Sequence, residues 1–144
     1  MTSLIGSKVE RKEDKRFLTG KGRYTADINL SNQAYAYFVR SPHARAKINK
    51  VDHSKAMKAP GVIDIFTGDC LVKDKIGGLI AGWKIVSQDG KDMKVPAHPA
   101  LAKDSVNYVG DHVAVVVAET LEEAKNAADL VNVSYKIQKA IVNA

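Results

Sequence analysis

Val113-Ala114-Val115-Val116-Val117-Ala118 is followed by Glu119 and then by Thr120-Leu121-Glu122-Glu123. An unbroken run of small β-branched and apolar residues this short predicts a central strand, buried on both faces. Thr120 and Glu123 have the form of a capping box, in which the threonine hydroxyl takes the N3 amide and the glutamate reaches back to the cap. Leu121, Ala124, Ala128 and Val131 then fall on one helical face, and small alanines let such a helix sit close to a sheet. Val131, Val133 and Tyr135 alternate with Asn132, Ser134 and Lys136, the pattern of a half-buried strand. Strand, helix and strand in immediate succession predict an α+β domain.

Working outward, Ala34-Tyr35-Ala36-Tyr37-Phe38-Val39 is apolar or aromatic on both alternating faces and predicts a buried strand, with Tyr35, Tyr37 and Phe38 in the core. It ends at Arg40-Ser41-Pro42. A weaker strand is predicted over Ala46 to Val51. Asp52 is placed to cap a short helix through Met57, stopped by Pro60-Gly61. Val62-Ile63-Asp64-Ile65-Phe66 predicts another strand, closed by Thr67-Gly68. Residues 70–104 change character: Gly77, Gly78, Gly82 and Gly90 are followed by Pro96 and Pro99, with little periodicity. A structureless loop of that length is uncommon in a compact domain and is often a lid or a binding loop. Residues 1–16 are polar and dense in charge, which predicts an arm that orders only against something else. Two glycines in Gly20-Lys21-Gly22 mark a tight turn. The expected organisation is an arm over 1–16 and a single domain over 17–144.

At 144 residues the length suits one domain. Apolar residues at 45% and charged residues at 26% fit a globular chain with a real core. Cys70 is the single cysteine, too few for an internal disulfide or a cysteine-only metal site, and it points to the cytoplasm. Met1 to Gly6 lacks the apolar run of a signal peptide, and no stretch reaches the length of a membrane span. The net charge of +6 is uneven: residues 1–60 carry 13 Lys and Arg against 5 Asp and Glu, residues 61–144 carry 9 against 11. A basic half can face an anionic partner, or it can be an ordinary solvated lysine-rich surface.

No motif declares a reaction. Gly20-Lys21-Gly22 has Thr25 where a dinucleotide fingerprint needs its third glycine, and the flanking elements are wrong for one. His43, His53, His98 and His112 form no pair at ligand spacing on a helix and read as turn and surface histidines. Cys70 has no evident base and reads as a small buried apolar group. Asp27, Asp52 and Asp111 sit beside turns, where capping and turn hydrogen bonds are their natural roles. The aromatics are too few and too embedded in apolar strands for a nucleic-acid platform. Asn29-Leu30-Ser31 and Asn132-Val133-Ser134 match the glycosylation pattern by chance in a chain without a secretion signal.

Three longer stretches carry a resemblance. The first is Ile5-Gly6-Ser7-Lys8-Val9-Glu10-Arg11-Lys12-Glu13-Asp14, running into Arg16-Phe17-Leu18-Thr19-Gly20-Lys21-Gly22-Arg23-Tyr24-Thr25-Ala26-Asp27-Ile28. The second is Val39-Arg40-Ser41-Pro42-His43-Ala44-Arg45-Ala46, continued by Val51-Asp52 and Pro60-Gly61-Val62. The third is Val106-Asn107-Tyr108-Val109-Gly110-Asp111-His112 running into the central strand through Glu119. Together they resemble the N-terminal α/β hammerhead domain of the xanthine oxidase, aldehyde oxidase and aerobic carbon monoxide dehydrogenase large chain, the molybdenum hydroxylase family. Lys94-Val95-Pro96-Ala97-His98-Pro99-Ala100-Leu101-Ala102 is similar to the carbon monoxide dehydrogenase-like branch. One departure follows the last strand: Tyr135-Lys136-Ile137-Gln138-Lys139-Ala140-Ile141-Val142 lacks the family's Leu-Pro pair.

The resemblance implies a hammerhead fold of small mixed sheets with about two helices and a long loop near residues 70–104. It implies a fragment of a longer oxidoreductase chain whose molybdenum sits on molybdopterin cytosine dinucleotide in the large C-terminal part. Iron–sulfur clusters and FAD are implied in partner subunits. The family's catalytic glutamate and pterin-binding segments lie beyond this sequence, so no catalytic, cofactor-binding or metal-binding residue is carried over. Two roles remain for the domain itself. Gly77, Gly78, Leu79 and Trp83 would line a substrate funnel, or else belong to a mobile surface loop. Arg40 and His43 would face a neighbouring domain or subunit, or else make turn contacts within the domain. The alternative function is a free-standing basic module for an acidic protein or nucleic acid.

Overall fold

The computed structural model describes Gly6 and residues 11–142. Most of the basic arm predicted over 1–16 lies outside the described residues. The chain divides into two compact units, residues 1–33 and 34–144.

In the first unit, helix α1 (Asp14–Leu18) begins inside the stretch read as an arm. It ends in a Schellman turn. Lys21 N–H donates to Arg16 O at 2.9 Å and Gly20 N–H to Phe17 O at 3.1 Å, with Gly20 at φ +67° where a side chain is disfavoured. A 3-10 turn over Thr25–Asp27 follows, fastened by Tyr24 N–H donating to Asp27 Oδ2 at 2.9 Å.

The second unit is built from β1 (Tyr35–Arg40), β2 (Ala46–Asp52), β3 (Val62–Thr67), α2 (Gly68–Lys73), β4 (Ser105–Val106), β5 (His112–Ala118), α3 (Leu121–Asp129) and β6 (Asn132–Ile137). They form two three-stranded sheets, ordered β1-β5-β3 and β4-β2-β6. The predicted central strand is indeed central: β5 lies between β1 and β3. Every described pairing is antiparallel, so the sheets are not mixed.

Helix α3 starts as its sequence predicts. Glu123 N–H donates to Thr120 Oγ1 at 3.2 Å, and the Glu123 carboxylate accepts from Thr120 N–H at 3.1 Å. Its inner face is alanine: Ala124 and Ala127 are fully buried, and Ala127 and Ala128 pack with Ile65, Val116 and Ala56. Leu121, expected on that face, is 42% exposed because it stands at the open first turn. A second cluster, Ala46, Ile48, Ala102, Val106 and Val113, lies against the other sheet with Val133 and Tyr135 beside it. Alanine and valine dominate both clusters, with one isoleucine in each, Ile48 and Ile65. The largest fully buried side chains are valines.

Several expectations are corrected. Tyr37 and Phe38 are not core; each is 39% exposed, because β1 is an edge strand. The helix expected from Asp52 is a single 3-10 turn over Ala56–Lys58, and Asp52 instead accepts from Ser54 N–H at 3.1 Å and Ser54 Oγ at 2.7 Å. Gly68–Lys73 is helical, although glycine at its start hid it. Gly68 is needed for close approach: a Cβ there would meet the backbone of Ala102 and Lys103. No helix among the described residues is long and apolar enough to cross a membrane.

Candidate functional site

Two regions hold the residues singled out from the sequence. The first is the turn after β1. Ser41 is 97% buried by its 3% exposure and fixes the turn from both sides. Its N–H donates to Asp111 O at 2.8 Å, and its carbonyl accepts from Gly110 N–H at 2.8 Å. Its hydroxyl accepts from His43 N–H at 3.0 Å and donates to His43 O at 3.1 Å. The His43 ring meets Tyr135 edge-on, centroids 5.0 Å apart. Arg40 is exposed; its Nη1 donates to Gly110 O at 3.2 Å. That bond uses one of the five donors of its guanidinium fork. Asp111 is buried, and its Oδ2 accepts from Asn107 N–H at 3.0 Å. The three aspartates thus act as turn acceptors, as their positions predict.

Charge and burial act on the tyrosines here. Removal from water, then the Asp111 carboxylate, push the Tyr108 phenol above its ordinary range. Burial, with Asp111 adding to it, does the same to Tyr135; the Ser41 hydroxyl opposes the shift, although Tyr135 Oη makes no hydrogen bond. A half-open cavity of about 440 Å³ lies beside this turn, lined by His98, Pro99, Ala102, Tyr108 and Asp111 among others. The His98 and Tyr108 rings meet edge-on across 6.2 Å.

His112 departs from the surface role its sequence suggested. It opens β5, stacks on Phe38 with centroids 4.6 Å apart, and holds Nε2 buried without a partner. His53 Nδ1 is likewise buried and unpartnered. Cys70 is half-buried, its sulfur 3.7 Å from Thr67 Oγ1.

The second region is residues 77–98, read from the sequence as loop. They form a ribbon. Ser87 N–H donates to Lys91 O at 2.9 Å, Met93 N–H to Ile85 O at 3.0 Å, and Val86 pairs with Asp92. The root is closed by Leu79 N–H donating to His98 O at 2.7 Å. Gly78 fits that closure, since a Cβ would strike His98 O; around Gly77 there is open space, so the approach argument holds for Gly78 alone. Leu79 is 63% and Trp83 83% exposed. The tip turns at Gly90, with φ +76°. Periodicity missed the pairing because it spans only three residues on each side, Ile85 to Ser87 against Lys91 to Met93. The Asp89-Gly90 turn dipeptide was the available signal.

Among the described residues no group of three or more His, Cys, Asp or Glu could hold a metal ion.

A two-sheet α/β unit with an alanine-faced helix and a projecting ribbon defines the class. The family model described as aldehyde oxidase and xanthine dehydrogenase, a/b hammerhead domain, matches residues 19–139, and the chain belongs to that family. It is 38% identical to the nicotine 6-hydroxylase large subunit of Paenarthrobacter nicotinovorans, over 98% of this chain and 16% of that one. It is 33% identical to the carbon monoxide dehydrogenase large chain of Afipia carboxidovorans, over 96% of this chain and 16% of that one. The crystal structure of quinoline 2-oxidoreductase from Pseudomonas putida 86 superposes with a TM-score of 0.83 at 35% identity, covering 94% of this chain and 16% of that chain. The chain therefore spans about a sixth of the length of these relatives. The alternative of a free-standing basic module gains no support from these likenesses.

Proposed function

We propose that this chain is the non-catalytic N-terminal domain of a molybdenum-dependent oxidoreductase large subunit, contributing subunit packing and substrate access. The parent would carry molybdenum on molybdopterin cytosine dinucleotide in its C-terminal part, work in the cytoplasm, and pass electrons to iron–sulfur and FAD-bearing partner subunits. The observation that carries the reading is the 77–98 ribbon: Gly78 and Leu79 are pinned to His98, while Trp83 projects almost fully exposed. A bulky side chain on a closed ribbon is suited to forming a wall of a substrate entrance together with Gly77, Gly78 and Leu79. Arg40 and His43, on a turn fixed by Ser41, supply a second facing surface. The free end of the Arg40 fork suits a carboxylate on a neighbour.

The test is steady-state kinetics of the assembled parent enzyme carrying Trp83→Ala. Loss of one wall contact should change KM by about three- to tenfold, most for the bulkiest substrates, with molybdenum content unchanged. An unchanged KM across substrates of different size would overturn the access role.

A further inference from the structure

The tip of the ribbon holds the one Asp-Gly pair in the chain, Asp89-Gly90, and every other aspartate is followed by a residue with a side chain. Asp-Gly is a sequence at which a polypeptide readily attacks itself. The glycine amide nitrogen bonds to the aspartate Cγ, water leaves, and a five-membered succinimide forms. Water then adds back at either carbonyl. One product is the original aspartate; the other is isoaspartate, whose main chain runs through the former side-chain methylene. Glycine favours the step because it puts no Cβ beside the attacking nitrogen. Around Gly90 there is open space, and both residues are exposed to the water the reaction needs. Two things govern the rate: the amide nitrogen must give up its proton, and the leaving oxygen must carry one.

The tip withholds both. Gly90 N–H donates to Ser87 O at 2.9 Å, and Gly90 at φ +76° turns the chain into the Ser87–Lys91 pair, closed at 2.9 Å. An amide proton held in this way is lost less easily. The carboxylate is engaged at both oxygens: Oδ1 accepts from Lys91 N–H at 3.3 Å and Oδ2 from Lys91 Nζ at 2.8 Å. Lys91, and after it Ser87, hold the carboxyl below the usual carboxylate range, which keeps a proton off the leaving oxygen. Swinging Cγ onto the Gly90 nitrogen must also break the contacts to Lys91. We infer that Asp89 is the position at which this chain forms isoaspartate, and that Lys91 is the brake on that reaction. The product does not fit the turn. It adds one carbon to the main chain and leaves the carboxylate directly on Cα, so Lys91 loses its contacts and the Ser87–Lys91 pair loses register. The brake is open to solvent, with Lys91 81% and Asp89 51% exposed, so salt screens it.

The experiment ages the full large chain in its assembled complex at neutral pH and body temperature, in low salt and in molar salt. Isoaspartate is counted by methyl transfer from radiolabelled S-adenosylmethionine with an isoaspartate methyltransferase, and placed by electron-transfer fragmentation of the peptides. The expected result is isoaspartate at position 89 ahead of every other aspartate, formed severalfold faster in Lys91→Gln. Lys94→Gln removes a ribbon charge that does not act on Asp89 and should leave the rate unchanged. Molar salt should bring the unmodified chain toward the Lys91→Gln rate. Isoaspartate arising first at another position, or none at 89 in Lys91→Gln, would overturn the site. Equal rates in the unmodified and Lys91→Gln chains would overturn the brake. If Lys91→Gln does not assemble, the unmodified chain decides: faster isomerisation at 89 in molar salt supports the inference, and a rate indifferent to salt overturns it.

Discussion

Replacing Gly61 with alanine should expose how tightly the start of helix α3 is coupled to the turn before β3. Gly61 has φ +69°, and its carbonyl accepts from Glu119 N–H at 2.9 Å. A Cβ at this position would run into the Glu123 carboxylate. That carboxylate is the flexible end of a side chain and can swing away, but it is held by Thr120 N–H at 3.1 Å and Thr120 Oγ1 at 2.8 Å. Left-handed backbone costs an L-residue roughly 1–2 kcal/mol. Losing the reciprocal half of the capping box adds about 1 kcal/mol. Gly61→Ala should therefore destabilise by about 2–3 kcal/mol. In a Glu123→Ala background the second cost has already been incurred, and Gly61→Ala should cost only about 1–2 kcal/mol. Urea unfolding of the four proteins of this cycle measures the difference. Coupling of about 1 kcal/mol exceeds the ~0.3–0.5 kcal/mol scatter of independent sites. Additive costs would refute the steric link between Gly61 and Glu123, and a neutral Gly61→Ala would refute the backbone argument as well.

Val116→Ala removes two methyl groups from a fully buried position between α3 and the sheet. It should lower stability by about 2–3 kcal/mol with an unchanged urea m-value. Asp52 should titrate well below the usual carboxylate range, because Ser54 donates twice to it and Lys50 sits 3.1 Å away. A depressed folded-state pKa means that its contribution to stability is present above the unfolded value near 3.8 and fades as pH falls through the folded value. Carboxyl NMR titration should show Ser54→Ala moving Asp52 upward; an unmoved midpoint would discard Ser54 as the cause.

Most of the fold was legible where local and tertiary preferences agree. The run over Val113–Ala118, the Thr120–Glu123 box and the alternation from Val131 to Tyr135 each specify an element without help from elsewhere. Legibility failed where burial depends on position in the sheet. Ala34–Val39 is as apolar as β5, yet β1 is an edge strand and β5 is central, and nothing in the local composition distinguishes them. Glycine hid α2 because Gly68 is chosen for close contact with Ala102 and Lys103, against its own helix preference. Ser41 could be read as a turn contact from its place in Arg40-Ser41-Pro42, but not as the residue that organises the turn. Its four hydrogen bonds reach both along the chain and across to residues 110 and 111, a convergence that only the fold creates.

The distribution of apolar side chains bears on what this domain is part of. Its buried clusters use alanine, valine and isoleucine, while Trp83, Ile80, Ile85, Phe38 and Ile141 remain outside. An independent domain of this composition would be expected to place its largest apolar groups inside, since they gain most from burial. Here alanines on α3 face Val116 and Ile65 in one cluster, and alanine, valine and Ile48 make up the other. The large groups are left at the ribbon, on the open side of β1 and along the segment after β6. Apolar surface gathered into such patches marks contact with another body. This is the arrangement to be expected if hydrophobicity has been set by burial in a chain some six times longer.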